Sequence, residues 1–233
     1  MNDAVLHELR ERKVTRLCHF TRTQNLLHIM AGAGIVPSAT LKEEAPDCFN
    51  PTDEQRLDGH TDAICCSIEY PNAWYLDKIK DRDPNFTDWV ILAVDPVFAA
   101  SETTRFCPRN AAAGYGREIR DGADGFRSLF APSVAGAYGR TRFRAPHHLK
   151  ASPTDDQAEV LVREPITLDK ILRIVVKDAA EAARVNVQFE LSGVSLQTPI
   201  YVSKTCFDKV ELARYIREGR RPTEELWLGD AGE

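Results

Sequence analysis

The chain has no apolar run long enough to cross a bilayer. Its longest runs, such as Trp89–Val94 and Ile171–Val176, are strand-sized, whereas a spanning helix needs about 20 apolar residues. It has no CxxC pair: Cys18, Cys48, Cys65, Cys66, Cys107 and Cys206 are scattered. That spacing fits buried, reduced thiols better than a disulfide frame or a zinc site. The adjacent pair His147-His148 has no cysteine nearby to complete a metal centre. The first dozen residues are charged throughout, without the apolar stretch of a secretory signal. These absences predict a cytoplasmic protein with no metal and no membrane partner. Familiar phosphate loops are missing too. Gly32-Ala33-Gly34 is not followed by the rest of a dinucleotide fingerprint, Gly114-Tyr115-Gly116 is too short a signal, and no Walker motif occurs. Any nucleotide must be held in another way.

What is present is globular: 233 residues, 43% hydrophobic and 28% charged, enough for one large domain or two small ones. The net charge of −5 conceals an asymmetry. Between residues 105 and 150 there are nine Lys or Arg against three acids, a net +6, which leaves −11 for the rest. A basic segment in an acidic chain suggests a local anionic partner. Charges paired with acids elsewhere would read the same way.

The hydrophobic pattern predicts a short helix over residues 5–13, a strand over 16–20, and a helix over 24–33 capped by Thr21 or Thr23. Residues 39–60 read as a long polar loop. Strands follow at 63–68, Trp89–Val94, 158–162 and Ile171–Val176, with a helical turn or short helix at 71–80. Residues 107–150 show little periodicity, and a loop that long is usually functional or mobile. A short helix at 178–185, small elements at 186–191 and 199–202, and a last helix at 207–217 complete the chain. Short strands without regular βαβ alternation predict an α+β fold.

Several polar groups could carry chemistry. His19 and Thr21 alternate along a strand end and can face one pocket, or be a core histidine and a helix cap. Arg56 could grip a pyrophosphate, or form a surface pair with Asp58. Asp155, Asp156 and Glu159 sit where the basic segment meets a strand. A carboxylate fixed there can hold a ribose hydroxyl and stabilise an oxocarbenium-like transition state. Alternatively, Asp155 and Asp156 are solvated turn residues and Glu159 an edge-strand carboxylate.

Taken in order, the blocks resemble the DarT family of DNA ADP-ribosyltransferases, toxins of toxin–antitoxin and anti-phage systems. The matching blocks run from Cys18-His19-Phe20-Thr21-Arg22-Thr23-Gln24-Asn25-Leu26 and Gly34-Ile35-Val36-Pro37-Ser38 to Arg56-Leu57-Asp58-Gly59 and Ser67-Ile68-Glu69-Tyr70-Pro71-Asn72. Trp89–Val94 with Asp95-Pro96, Asn110-Ala111-Ala112 and Gln157-Ala158-Glu159-Val160-Leu161-Val162 complete them. The resemblance implies a single ADP-ribosyltransferase domain over 1–233. Its split central β-sheet, flanked by helices, would hold NAD, consumed as a substrate without metal. It implies NAD contacts from His19, Phe20, Thr21, Asn25, His28, Ser38, Arg56 and Tyr75, with an NAD-binding loop element at about 38–56. It implies Glu159 and Arg56 as the catalytic pair and a substrate-recognition loop at about 107–158. The implied partners are single-stranded DNA and a cognate antitoxin that hydrolyses ADP-ribosyl links. The RLDG and SIxYPN blocks look more like the guanosine-modifying than the thymidine-modifying branch.

The basic segment agrees independently, because a polyanion should lie ahead of the carboxylate. Its candidate nucleic-acid contacts are Arg109, Asn110, Arg117, Arg120, Arg127, Arg140, Arg142, Arg144, His147, His148 and Lys150. Tyr115, Phe126, Phe130, Tyr138 and Phe143 are interleaved with them and could stack on bases, or be core. RNA or a protein side chain is the alternative acceptor. A non-catalytic nucleic-acid-binding module is the alternative of another class.

Overall fold

The structure is a computed structural model that describes residues 1–32, 34–44, 46, 57–80, 82, 87–136 and 139–229. It is α+β. Nine strands join in one sheet of order β11-β10-β9-β3-β1-β2-β8-β4-β5. The central strands are β1 (Leu17–Arg22), β2 (Ile64–Ile68), β3 (Trp89–Val94), β8 (Glu159–Val162) and β9 (Ile171–Val176). Toward the edges lie β4 (Arg105–Cys107) and β5 (Arg120–Asp121) on one side, β10 (Ile200–Val202) and β11 (Glu225–Leu226) on the other. A separate hairpin pairs β6 (Ser133–Ala135) with β7 (Thr141–Phe143).

β3 is buried along its whole length because both faces of the sheet are covered. Val90, Leu92 and Val94 point into the larger core, and Ile91 into the smaller. This is the two-residue alternation of a strand. On the first face pack α1 (Asp3–Arg12), α2 (Gln24–Ala31), α5 (Gly122–Ser128) and α6 (Ala179–Ser192), through residues such as Val5, Leu26, Phe126 and Phe189. On the second pack α4 (Ala73–Ile79) and α7 (Lys209–Arg217), through Ala73, Leu212 and Ile216.

The feature that positions the site is a split in the sheet. The first half of β2, Ile64 to Cys66, pairs with β8. Only its last residues, Ser67 and Ile68, pair with Cys18 and Leu17 of β1. From His19 onward β1 follows β3 alone. A wedge therefore opens between β1 and β2.

Three stretches differ from the sequence expectation. The polar loop at 39–60 begins instead as α3 (Ser38–Glu44), which has no buried residue and so no apolar stripe to betray it. The aperiodic 107–150 segment contains β5, α5 and the hairpin. α5 forms despite its two glycines, Gly122 and Gly125, because Phe126 packs edge-on against Phe106 at 5.4 Å. The helix at 178–185 and the element at 186–191 are one helix. Ala182, Val185 and Phe189 make one continuous stripe, Asp178 caps the start and Gly193 ends it.

Candidate active site

The wedge holds a cavity of about 220 Å³. β1 supplies His19, Phe20 and Thr21, and α2 supplies Asn25 and His28. Ser38 comes from the start of α3, Tyr75 from α4, and Glu159 from the start of β8. Every described residue that the family resemblance put against NAD therefore lines one cavity, and Glu159 lines it too. Arg56, expected in both roles, lies outside the described residues, as does the 47–56 part of the expected loop element.

Local hydrogen bonds hold these groups. The Cys65 carbonyl accepts from His19 Nδ1 at 2.9 Å across the split, which fixes the ring with that nitrogen protonated. Asn25 Nδ2 donates to Thr21 Oγ1 at 3.0 Å, tying α2 to β1. Ser38 donates to the Thr61 carbonyl at 3.1 Å. Asn72 caps α4, accepting from the Tyr75 backbone at 3.0 Å, and the Tyr75 ring sits 6.1 Å from Phe20. Gly34 has φ +100°, and a Cβ there would lie 2.1 Å from the Ile166 carbonyl oxygen. Only glycine permits the paired bonds of Ile35 with Ile166 that shape this wall.

Glu159 stands opposite Cys107 of β4. Its Oε1 accepts from Asn110 Nδ2 at 3.0 Å. Sequence reasoning assigned Asn110 to nucleic acid and missed this bond, which depends on the β4–β8 pairing. It also missed Ile35, Cys65, Asn72 and Ala112 as lining residues. Asp58, considered only as a surface partner, is buried and lines the cavity as well.

Asp155 and Asp156 are not solvated turn residues. Asp155 is buried and accepts from the Gln157 backbone at 2.8 Å, shaping the turn into Glu159. Asp156 meets Arg217 at 3.3 Å. Burial holds both carboxyls above their usual range.

The basic segment is not one open patch. Arg109 is ion-paired with Glu118 at 2.6 Å and donates to the Gly136 carbonyl at 3.0 Å. Arg127 reaches back to Glu8 of α1 at 2.8 Å. Arg144 donates to the carbonyls of Leu149 and Ser152 at 3.1 and 3.0 Å, clamping its own loop. His148 hydrogen-bonds the Pro153 carbonyl at 2.9 Å, and burial lowers it to about 4. Arg117, Arg120, Arg140, His147 and Lys150 are exposed, and Arg142 is half-buried. Phe126 and Phe130 are core, Tyr115 and Phe143 are exposed, and Tyr138 lies outside the described residues. Among the described residues no cluster of His, Cys, Asp or Glu is arranged to hold a metal, and no helix is long and apolar enough to cross a membrane.

The chain is similar in fold to several solved structures. Against Thermus sp. 2.9 DarT in complex with ADP-ribosylated ssDNA, the TM-score is 0.57 at 13% identity, covering 84% of this chain and 97% of that one. Against the same protein in complex with NAD+ it is 0.55 at 13% identity, covering 83% and 98%. Against Thermosipho africanus DarTG in complex with ADP-ribose it is 0.53 at 16% identity, covering 83% of this chain and 51% of that one, about half its length. No curated protein matches the sequence. The family model described as "ssDNA thymidine ADP-ribosyltransferase, DarT" matches residues 18–208. Most of the chain is thus accounted for, and it belongs to the DarT family of single-stranded-DNA ADP-ribosyltransferases.

Proposed function

We propose that this chain is a single domain that transfers ADP-ribose from NAD to a base in single-stranded DNA, with Glu159 as the catalytic carboxylate. The observation that carries this is the cavity in the split sheet, which Glu159 lines together with His19, Thr21 and Tyr75. His19 and Thr21 hold the nicotinamide half. Glu159 takes the 2-hydroxyl of the nicotinamide ribose and stabilises positive charge on that ring. The glycosidic C–N bond breaks and its electron pair leaves with neutral nicotinamide. A base nitrogen forms the new bond to the anomeric carbon and releases its proton to solvent water. Arg56 has too high a pKa to serve readily as a general base, so we assign it to positioning phosphate or base.

We favour guanine as the acceptor, on the RLDG and SIxYPN blocks. The family model's description supports the second reading, thymidine. We further propose a toxin role, in a toxin–antitoxin or anti-phage system, opposed by an antitoxin that removes ADP-ribose. The experiment mixes the protein and labelled NAD with oligonucleotides of defined base content. Label on guanine-containing strands alone is expected. Label on thymine-only strands would give the second reading, and label on RNA or protein alone would overturn the DNA assignment. Glu159→Ala should abolish transfer with NAD binding largely intact; a variant that still labels DNA refutes the carboxylate's role.

A further inference from the structure

We propose that Tyr115 is a stacking platform at the cavity rim, holding a nucleotide of the single-stranded substrate beside the reacting base. This rests on the reading of the site as a nucleic-acid-modifying centre. Tyr115 is 71% exposed, and among the described residues no ring or cation packs against it.

Its backbone is held as deliberately as its ring is left open. Tyr115 closes the 3-10 turn Ala111–Gly114 in the left-handed region, φ 51° and ψ 43°. A bulky residue seldom adopts this conformation, and such outliers concentrate at functional positions. The turn is locked by bonds from the Tyr115 and Gly116 amides to the Ala112 and Ala111 carbonyls, at 3.2 and 3.0 Å. Gly116, φ +77°, packs so closely on Asp58 that a Cβ would lie 2.7 Å from its carbonyl oxygen.

The turn is also anchored at the site. Its capping residue Asn110 holds Glu159, Ala112 lines the cavity, and Asp58, on which Gly116 packs, lines it as well. The turn that carries Tyr115 therefore borders the cavity through Asn110 and Ala112. The exposed guanidiniums of Arg117 and Arg120 follow it directly. Aromatic faces beside arginines accept unpaired bases of any sequence, the ring by stacking and the cations by tracking phosphates.

The test is oligonucleotide binding by the full chain with Tyr115 replaced. Tyr115→Ala should weaken the affinity for single-stranded DNA by roughly 5- to 150-fold, with an unchanged thermal midpoint because the side chain is exposed. Tyr115→Phe should keep the affinity. In Tyr115→Trp, added DNA should quench more indole emission than in the parent, a signature of stacking. Parent-like affinity in Tyr115→Ala, or no added quenching in Tyr115→Trp, overturns the inference. If the parent itself binds no oligonucleotide, the underlying reading falls as well, and that control tells the two failures apart.

Discussion

Asn110 and Glu159 meet through one hydrogen bond to a carboxylate. A hydrogen bond to a charged group contributes about 1.5–3 kcal/mol. If the bond aims the second carboxylate oxygen at the ribose, its loss should fall on the chemical step. Asn110→Ala is expected to lower kcat roughly 10- to 100-fold while the NAD dissociation constant stays near that of the parent. Asn110→Asp should be worse, because it sets a second anion against Glu159. Steady-state kinetics beside an NAD titration check this, and an equal loss of NAD affinity would argue for mere packing. At this scale the sequence was informative where an ordered motif carried the residue. His19, Thr21, Asn25 and Glu159 all reach the cavity. It was silent where the role depends on a cross-strand neighbour, as for Asn110, or on a change in burial, as for Phe126 and Phe130.

Among elements, the legible ones are those whose apolar residues repeat. β3 is continuously apolar because helices cover both its faces. α3 buries nothing and α5 is glycine-rich, so tertiary contacts rather than local pattern decide them. The split in β2 is a matter of register, which no single strand's sequence reveals. The approach of Gly34 to Ile166 is the most exacting of these geometries. Gly34→Ala adds a Cβ into that carbonyl at a positive φ and should cost at least ~1–3 kcal/mol. NAD should bind more weakly too, since Ile35 lines the cavity. Denaturant melts and NAD titration test it; a variant matching the parent in both would show that this wall can move.

The loop clamped by Arg144 carries a pH dependence. Burial, helped by the Arg144 charge, lowers His148 from 6.5 to about 4. Between those values the unfolded chain takes a proton that the folded chain refuses. Stability is then present above about pH 6.5 and is lost as pH falls toward 4. Asp155 and Asp156, raised by burial, act with the opposite sign, so the informative quantity is a difference. The drop in denaturation midpoint from pH 7 to pH 5 should be smaller in His148→Gln than in the parent. Equal drops would remove His148 from the account.

Across the whole molecule, the chain's end is bound to its beginning by buried charge. Arg16, just before β1, donates through Nη1 to Glu224 Oε2 at 2.7 Å and through Nη2 to Oε1. Arg173 of β9 adds a third contact at 3.2 Å. Arg16 Nε also donates to the Glu69 carbonyl at 2.7 Å, while the Glu69 carboxylate takes Thr15 and Arg221. Breaking a buried pair from one side typically costs about 3–5 kcal/mol, whereas replacing both partners with apolar groups is often neutral. Glu224→Ala should therefore destabilise by that amount, and Arg16→Met with Glu224→Leu should recover most of it. Burial alone would raise the Glu224 carboxyl, but Arg16 and Arg173 outweigh it and hold it below 4.5. A depressed carboxylate stabilises the fold above its unfolded value and loses that contribution as pH falls through the folded value. Acid unfolding below about pH 4.5 should thus be shallower in the double variant than in the parent. An identical acid limb, followed by circular dichroism, would mean that the pair closing the two chain ends is not what acid breaks.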